Sequence, residues 1–357
     1  MASKKSKIKN KSSQNLEPKT QKSTPLPKVA ATIRTETKET PKIKSMIELT
    51  HRNHFQFGYD GKAFIDRTSN EQRWWVNYGR CSRWPLDWRS ECIIAAREIR
   101  ASTNREIWLC FSGGIDSEIV AESFRYARIP IRAAILRFKN DINAHDISWA
   151  ISYCEMHKVP YELFDLDINA FFDSGEMMHF ADLTSCPTPQ LPSSMKLMEL
   201  IAKRGGYPIL GSAECYLSRH NTGWYMYERE KIASLYRYLL KTNTPGQAGF
   251  YQWNPEIMYS FLVDPLLKNL VEDKIPNHKD TYYLKPELYA QYWKFHTRPK
   301  YTGFEKIERL DRKWRPILEQ KFGHCDEQVY IRYDDLVQRL TYVKPIATPQ
   351  ISTIHLA

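Results

Sequence analysis

Ile107-Trp108-Leu109-Cys110-Phe111-Ser112-Gly113-Gly114-Ile115-Asp116-Ser117 is the stretch that decides the fold. Its first five residues form an uninterrupted apolar run of strand length, the pattern of a strand buried on both faces. Two glycines then permit a sharp turn. Beyond it Ile119, Val120, Ser123, Phe124 and Ala127 fall on one helical face, so the order is strand, tight turn, helix. Upstream, Asp87 to about Ser102 carries apolar residues at 88, 92, 95, 96 and 99, which predicts a helix leading into the strand. Downstream, apolar runs at Ile131 to Phe138 and Tyr161 to Leu166 are separated by a helical period at Ile147, Ala150, Ile151 and Cys154. Strands about 25 to 30 residues apart with helices between them indicate right-handed βαβ units, hence an α/β fold with a parallel sheet. After a loop at Cys186-Pro187-Thr188-Pro189, a helix at about 193 to 204 leads into Tyr207-Pro208-Ile209-Leu210-Gly211, the predicted fourth strand. From about 224 to 340 the recognisable segments, such as Ile232, Leu235, Tyr236 and Leu239, are helical and predict a mainly helical C-terminal lobe.

The turn itself suggests chemistry. In open α/β sheets, ligands bind beyond the carboxyl ends of the strands. Ser112, Gly113, Gly114, Ile115, Asp116 and Ser117 sit at such an end and open a helix, whose first N–H groups are unpaired and carry positive potential. With two hydroxyls added, this is an anion cradle suited to phosphates. It is neither a Walker loop, because no Gly-x-x-x-x-Gly-Lys-Ser/Thr occurs, nor a Gly-x-Gly-x-x-Gly dinucleotide fingerprint.

Ser-Gly-Gly-x-Asp-Ser after a buried strand resembles the pyrophosphate loop of the N-type ATP pyrophosphatases, the PP-loop superfamily. Its members include asparagine synthases, GMP synthases, 7-cyano-7-deazaguanine synthases and tRNA-thiolating enzymes. The resemblance implies an adenine nucleotide alpha hydrolase-like, Rossmann-like domain of the HUP type. It also implies ATP and Mg²⁺ as cofactors, with ATP cleaved between the α- and β-phosphates and AMP transferred to a substrate oxygen. Asp116 is the residue implied to hold Mg²⁺, although an Asp there is also an ordinary helix cap. The backbone of Leu136 and Arg137, at the end of the second strand, is implied to read the adenine edge, and the Arg137 side chain has an equally ordinary reading as a solvated strand-end arginine.

Further stretches resemble the asparagine-synthase branch: His145 to Ala150, Val159-Pro160-Tyr161 with Asp165-Leu166-Asp167, and Pro208 to Glu214. So do Trp253-Asn254-Pro255-Glu256 and Arg298-Pro299-Lys300-Tyr301-Thr302-Gly303-Phe304. The last implies that Arg298 and Lys300 return over the phosphates, while Gly211 and Ser212 lie near the α-phosphate. Departures are equally informative. The residues ahead of the domain do not read as a glutaminase, so nitrogen is expected from ammonia, an amine or a separate ammonia source. The family's acidic loop is reduced to Glu214, which either deprotonates the attacking nitrogen or is a solvated glutamate.

The leading expectation is therefore an AMP- and pyrophosphate-forming synthetase, a ligase that adenylates a small-molecule acid or carbonyl for attack by a nitrogen donor. Glu214, Tyr216, Arg219, His220 and the aromatics near Trp253 are the expected walls of the acceptor pocket. The alternatives are a PP-loop enzyme of nucleobase or tRNA modification, and a non-catalytic nucleotide-binding descendant. Clustered cysteines, which would favour zinc-binding or thiolating branches, are absent: the seven cysteines at 81, 92, 110, 154, 186, 215 and 325 include no Cys-x-x-Cys pair.

Composition bounds the rest. The 357 residues are 42% hydrophobic and 26% charged with a formal net charge of +11, enough chain for a real core. No apolar run approaches the roughly 20 residues of a membrane-spanning helix, and no signal peptide follows the Lys-rich start. A cytoplasmic protein with reduced thiols and no membrane partner is expected. Residues 1–45 hold eleven Lys and one Arg against three Glu, +9 of the total, and have the composition of a disordered basic tail able to meet nucleic acid or another acidic partner. The expected organisation is that tail, an aromatic-rich segment at 46–86, the α/β domain at 87–222, the helical lobe at 223–340 and a second tail at 341–357.

Overall fold

The computed structural model describes residues 55–275, 279–296, 298, 299 and 301–344. The expected basic tail, the second tail from residue 345 onward, and Lys300 lie outside the described residues.

The aromatic-rich segment forms an antiparallel pair, β1 (Gln56–Tyr59) and β2 (Trp74–Asn77). Helix α1 (Trp88–Ser102) follows, capped by Asp87, whose carboxylate accepts from the Ser90 amide at 3.0 Å. It buries Trp88, Cys92, Ala95, Ala96 and Ile99, the residues whose spacing predicted it. Then come β3 (Ile107–Cys110), α2 (Ile115–Ala127), β4 (Arg132–Phe138), α3 (Ala144–His157) and β5 (Tyr161–Leu166). Helices α4 (Ile168–Asp173), α5 (Glu176–Thr184) and α6 (Leu191–Lys203) lead to β6 (Tyr207–Leu210). These four strands make a parallel sheet in the order β5-β4-β3-β6, the α/β architecture expected.

Apolar side chains on both faces account for β3. Ile107 and Leu109 join the main core, while Trp108 packs with Ala134, Phe164, Leu197 and Ile201 on the opposite face. Each fully buried side chain of this size contributes about 1.5–3 kcal/mol relative to exposure, which holds the strand central.

Beyond β6 the chain continues with β7 (Leu217–His220), β8 (Gly223–Arg229), α7 (Ala233–Thr242), α8 (Pro255–Leu262), α9 (Pro265–Val271) and α10 (Lys285–Ala290). It closes with α11 (Glu308–Phe322), β9 (Gln328–Arg332) and α12 (Tyr333–Leu340). Helices predominate here, but β7, β8 and β9 form a three-stranded antiparallel sheet that the helical reading of 224–340 left out. Its central strand alternates, with Trp224, Met226 and Glu228 buried and Tyr225 and Tyr227 half-buried. Buried acids fasten the N-terminal hairpin to this part. Glu230, fully enclosed, accepts from the Tyr59 hydroxyl at 2.6 Å and pairs with Arg67 at 2.8 Å and Arg237 at 3.1 Å. Glu228 takes the Tyr78 hydroxyl at 2.9 Å and the Gln252 amide at 2.7 Å.

Six of the seven cysteines are buried, Cys110 is half-buried, and all seven are free thiols. Among the described residues, no helix is long and apolar enough to cross a membrane.

Candidate active site

From β3 the chain winds through α2 to β4 and through α3 to β5 on one side, whereas β6 lies on the other side of β3. The winding reverses between β3 and β6, and at such a switch point the loops leaving the two strands separate and open a crevice. Ser112–Ser117 leaves β3 there, and Gly211 and Ser212 leave β6.

The glycine turn is shaped by its neighbours. Gly113 has φ of +89°, and a Cβ at this position would lie 2.6 Å from the backbone oxygen of Asp146. A Cβ on Gly211 would lie 2.7 Å from the Cα of Ser117, so the two loops touch backbone to backbone. Ser117 Oγ donates to the Gly114 carbonyl at 2.9 Å, Ser112 Oγ accepts from the Gly114 amide at 3.3 Å, and the two hydroxyls are 3.2 Å apart. Gly114 is the N-cap of α2 and no side chain caps this helix, so its first-turn amides remain available to an anion. Ile115 is the first residue of α2 and lines the cavity in front of it.

Two cavities meet at this turn. One, of about 360 Å³, runs past Leu136, Phe138, Asn143, Ser193 and Ser212. The other, of about 350 Å³, has the turn as its floor and Trp149, Tyr282, Tyr283, Phe295 and Tyr301 among its walls. Ser112, Asp146 and Gly211 line both.

In the first cavity the end of β4 is open. The Ala134 carbonyl accepts from Phe111 and the Ala133 amide donates to Pro160, so by alternation even-numbered residues of β4 face β3 and odd-numbered ones face β5. Strand β3 has ended by the level of Leu136, which turns its amide to the crevice while its carbonyl accepts from Asn143 Nδ2 at 2.9 Å. Arg137, by contrast, faces β5 through its backbone, and its exposed guanidinium pairs with Asp165 at 2.6 Å. Only Leu136 of the two predicted adenine-side residues offers backbone to the crevice. Ser212 is half-buried, its hydroxyl donating to the Ala248 carbonyl at 2.6 Å.

Asp116 meets partners that sequence reasoning missed. Both its carboxylate oxygens lie 3.0 Å from Lys285 Nζ, Oδ1 also accepts from the Tyr289 hydroxyl at 2.7 Å, and its backbone carbonyl accepts from the Tyr251 hydroxyl at 2.7 Å. Lys285 Nζ also donates to Glu214 at 2.5 Å. Burial pushes the Asp116 carboxyl above its ordinary range, with Lys285 opposing and Glu214 adding to the shift. Burial alone would lower the Lys285 ammonium, but Asp116 and Glu214 outweigh it and hold the ammonium above its usual value. Lys285 and Tyr289 are one helical turn apart on α10, a spacing that brings both to one carboxylate.

Arg298, predicted to meet phosphates, lines the second cavity with its side chain 4% exposed. Its Nη1 pairs with Glu118 at 2.5 Å and its guanidinium stands 5.3 Å from the Trp149 ring, while Nε and Nη2 have no hydrogen-bond partner among the described residues. Buried donors of this kind are costly unless an acceptor satisfies them. Asp146, another residue missed from sequence, has its carboxyl raised to about 6 by burial and by Glu305, against His145 and Arg298.

No protein-family model matches the chain, and none of the curated proteins does. Among solved structures the chain is similar to an NH3-dependent NAD synthetase from Campylobacter jejuni subsp. jejuni NCTC 11168, in complex with the nitrate ion. Identity there is 14%, over 67% of this chain and 94% of that one, with a TM-score of 0.33. It is also similar to an NMN synthetase from Francisella tularensis, at 13% identity over 64% of this chain and 93% of that one, with a TM-score of 0.29.

The expected acceptor walls are redistributed. Trp253 is buried and its indole donates to Glu98 at 2.8 Å, while Asn254 caps α8 and Glu256 accepts from Ser82. None of Trp253, Asn254 and Glu256 lines either cavity, whereas the neighbouring Tyr251 reaches the Asp116 carbonyl. Arg219 is paired with Asp273 on an exposed strand end, and neither it, Tyr216 nor His220 lines either cavity. Trp149, Tyr282, Tyr283 and Phe295 line the second cavity instead.

Does the donor set suit Mg²⁺? Asp116 and Glu214 converge on one point, and carboxylate oxygens are the donors such a hard cation takes, commonly one or two of them completed by substrate phosphates. Among the described residues no group of three or more His, Cys, Asp or Glu is placed to hold a metal unaided. The pair fits a cation shared with nucleotide.

Proposed function

We propose that this chain is an ATP-dependent synthetase that forms AMP and pyrophosphate while activating a carboxylate or carbonyl for attack by ammonia or an amine. The observation that carries the reading is Arg298. Its two buried guanidinium nitrogens that lack a partner among the described residues border the same cavity as the uncapped start of α2, so two independent sources of donors share one space. An oligophosphate satisfies both.

In this reading the adenosine occupies the cavity beside Leu136 and Phe138, where the Leu136 amide meets the base edge and the serines at 193, 194 and 212 lie near the ribose. The α-phosphate stands at the junction lined by Ser112, Asp146 and Gly211. The β- and γ-phosphates lie over the glycine turn, in the cavity that Arg298 and Lys285 line. Preorganised amides and cations stabilise charge as it gathers on departing pyrophosphate, and they require no rearrangement at that moment. Mg²⁺ shared by Asp116, Glu214 and the phosphates would supply further neutralisation. Substrate oxygen attacks the α-phosphorus, the bond to the bridging oxygen breaks, and the resulting acyl-type adenylate is exposed to the nitrogen nucleophile. The carboxylate of Asp146, half-buried at the junction, can receive a proton from that nitrogen.

ATP–pyrophosphate exchange tests this. Label should enter ATP only when the correct small acid is present, and exchange should be lost in Arg298→Met. An acid-dependent exchange that is indifferent to Arg298 would defeat the assignment of the phosphate site. The +9 charge of residues 1–45 favours one second reading, in which the acceptor belongs to a nucleic acid. Nucleic acid that co-purifies with the full chain and is lost when residues 1–45 are removed would favour it.

A further inference from the structure

We propose that Lys285 is a built-in counter-cation. In the free protein its ammonium occupies the meeting point of Asp116 and Glu214 that a divalent cation would take, so the protein binds that cation only together with nucleotide phosphates.

The geometry supports this from several sides. Lys285 is 7% exposed, and its Nζ reaches both oxygens of Asp116 and one of Glu214 within 3.0 Å. Asp116 is itself held in place. The Tyr289 hydroxyl fixes Asp116 from the same helix as Lys285, and the Tyr251 hydroxyl fixes the Asp116 backbone. Two carboxylates brought to one point in a buried place repel each other unless a cation lies between them, and Lys285 supplies it. Two carboxylates are too few ligands to strip Mg²⁺ of its water alone. Phosphate oxygens change both terms. They complete the coordination of the ion and offer the displaced ammonium a new anionic partner in the same cavity, because Lys285 lines the space floored by the glycine turn. Lys285 thus exchanges one set of oxygens for another and is never left buried without a counter-charge. The chain is protected from holding a metal without nucleotide.

The proposal rests on the ATP reading for its second half only. Mn²⁺ binding to the full chain, followed by electron paramagnetic resonance, tests the first half without nucleotide. Wild-type protein should bind Mn²⁺ at this site more weakly than about 1 mM. Lys285→Met, and separately Lys285→Gln, should bind it at least about tenfold more tightly, and adding Asp116→Asn to either should remove the gain. Unchanged Mn²⁺ affinity in the folded Lys285 variants would overturn the proposal. So would tight nucleotide-free binding by wild type that Asp116→Asn abolishes, a measurement that stands even if the Lys285 variants do not fold. With α,β-methylene-ATP added to wild type, protein-bound Mn²⁺ should appear beyond that held by nucleotide alone. If the nucleotide does not bind at all, the ATP reading fails while the nucleotide-free arm still decides the role of Lys285.

Discussion

Two alanine substitutions, one residue apart, separate what the protein needs from what its ligand needs. At Gly113 the backbone has φ of +89° and a Cβ would meet the Asp146 carbonyl oxygen at 2.6 Å and the Ala150 amide nitrogen at 3.3 Å. Both are backbone atoms of α3 and cannot step aside as a flexible side chain can. The left-handed conformation costs an alanine about 1–2 kcal/mol, and forced overpacking adds about 1–3 kcal/mol. Gly113→Ala should therefore lose about 2–5 kcal/mol, which lowers a urea midpoint by about 1 M for a chain of this size. At Gly114 φ is −71°, and the nearest atom to a new Cβ is Ser112 Oγ at 3.5 Å, an ordinary contact. The weaker helix cap and the reduced freedom of the unfolded chain nearly cancel, so stability should move by less than about 1 kcal/mol. Yet this methyl group stands on the turn that floors the cavity. Gly114→Ala should weaken ATP binding by about tenfold or more, read by calorimetry, while leaving the urea midpoint in place. The reasoning is refuted if Gly113→Ala unfolds with wild type, or if Gly114→Ala binds ATP as wild type does.

Glu118→Gln removes the ion-pair partner of Arg298 and leaves a buried guanidinium without its hydrogen-bonded counter-charge. It should cost about 3 kcal/mol, and pyrophosphate should raise the melting temperature of the variant more than that of wild type, because the anion replaces the missing charge. An unchanged melting temperature would contradict the buried pair. Asp146 titrates at about 6 in the folded protein against about 3.9 unfolded, so its contribution to stability is full below about pH 4 and is lost as pH rises through 6. Asp146→Asn should accordingly exceed wild type by about 1 kcal/mol at pH 7.5, a figure reduced for solvent screening, with the difference fading by pH 4.5 in urea titrations. Parallel pH profiles for the two proteins would show that Asp146 is not held in this environment.

The parallel sheet and the glycine turn were legible because their signals are local: continuous apolar runs for buried strands, and two glycines between a strand period and a helix period. The cation arrangement was not. Lys285 lies 169 residues from Asp116 along the chain, and nothing in Leu284-Lys285-Pro286 distinguishes a buried lysine from a solvated one. Glu118 likewise reads as an ordinary acidic residue in a first helical turn, and only the return of the chain near Arg298 gives it a partner. In β8 the alternation of Trp224 and Met226 with Tyr225 and Tyr227 was a usable strand signal. It was obscured by Glu228 on the inward face, a polar residue satisfied by Tyr78 and Gln252 from distant segments. Strand β9, which completes that sheet, arrives about 100 residues later, beyond the reach of any short-range pattern.

A crystal structure of the full chain with α,β-methylene-ATP and Mg²⁺ tests the central claim most directly. The β- and γ-phosphates should lie within hydrogen-bond distance of the amides at 113–117 and of Arg298, with adenine beside the Leu136 amide. Nucleotide bound elsewhere, or no nucleotide at saturating concentration, would contradict the account.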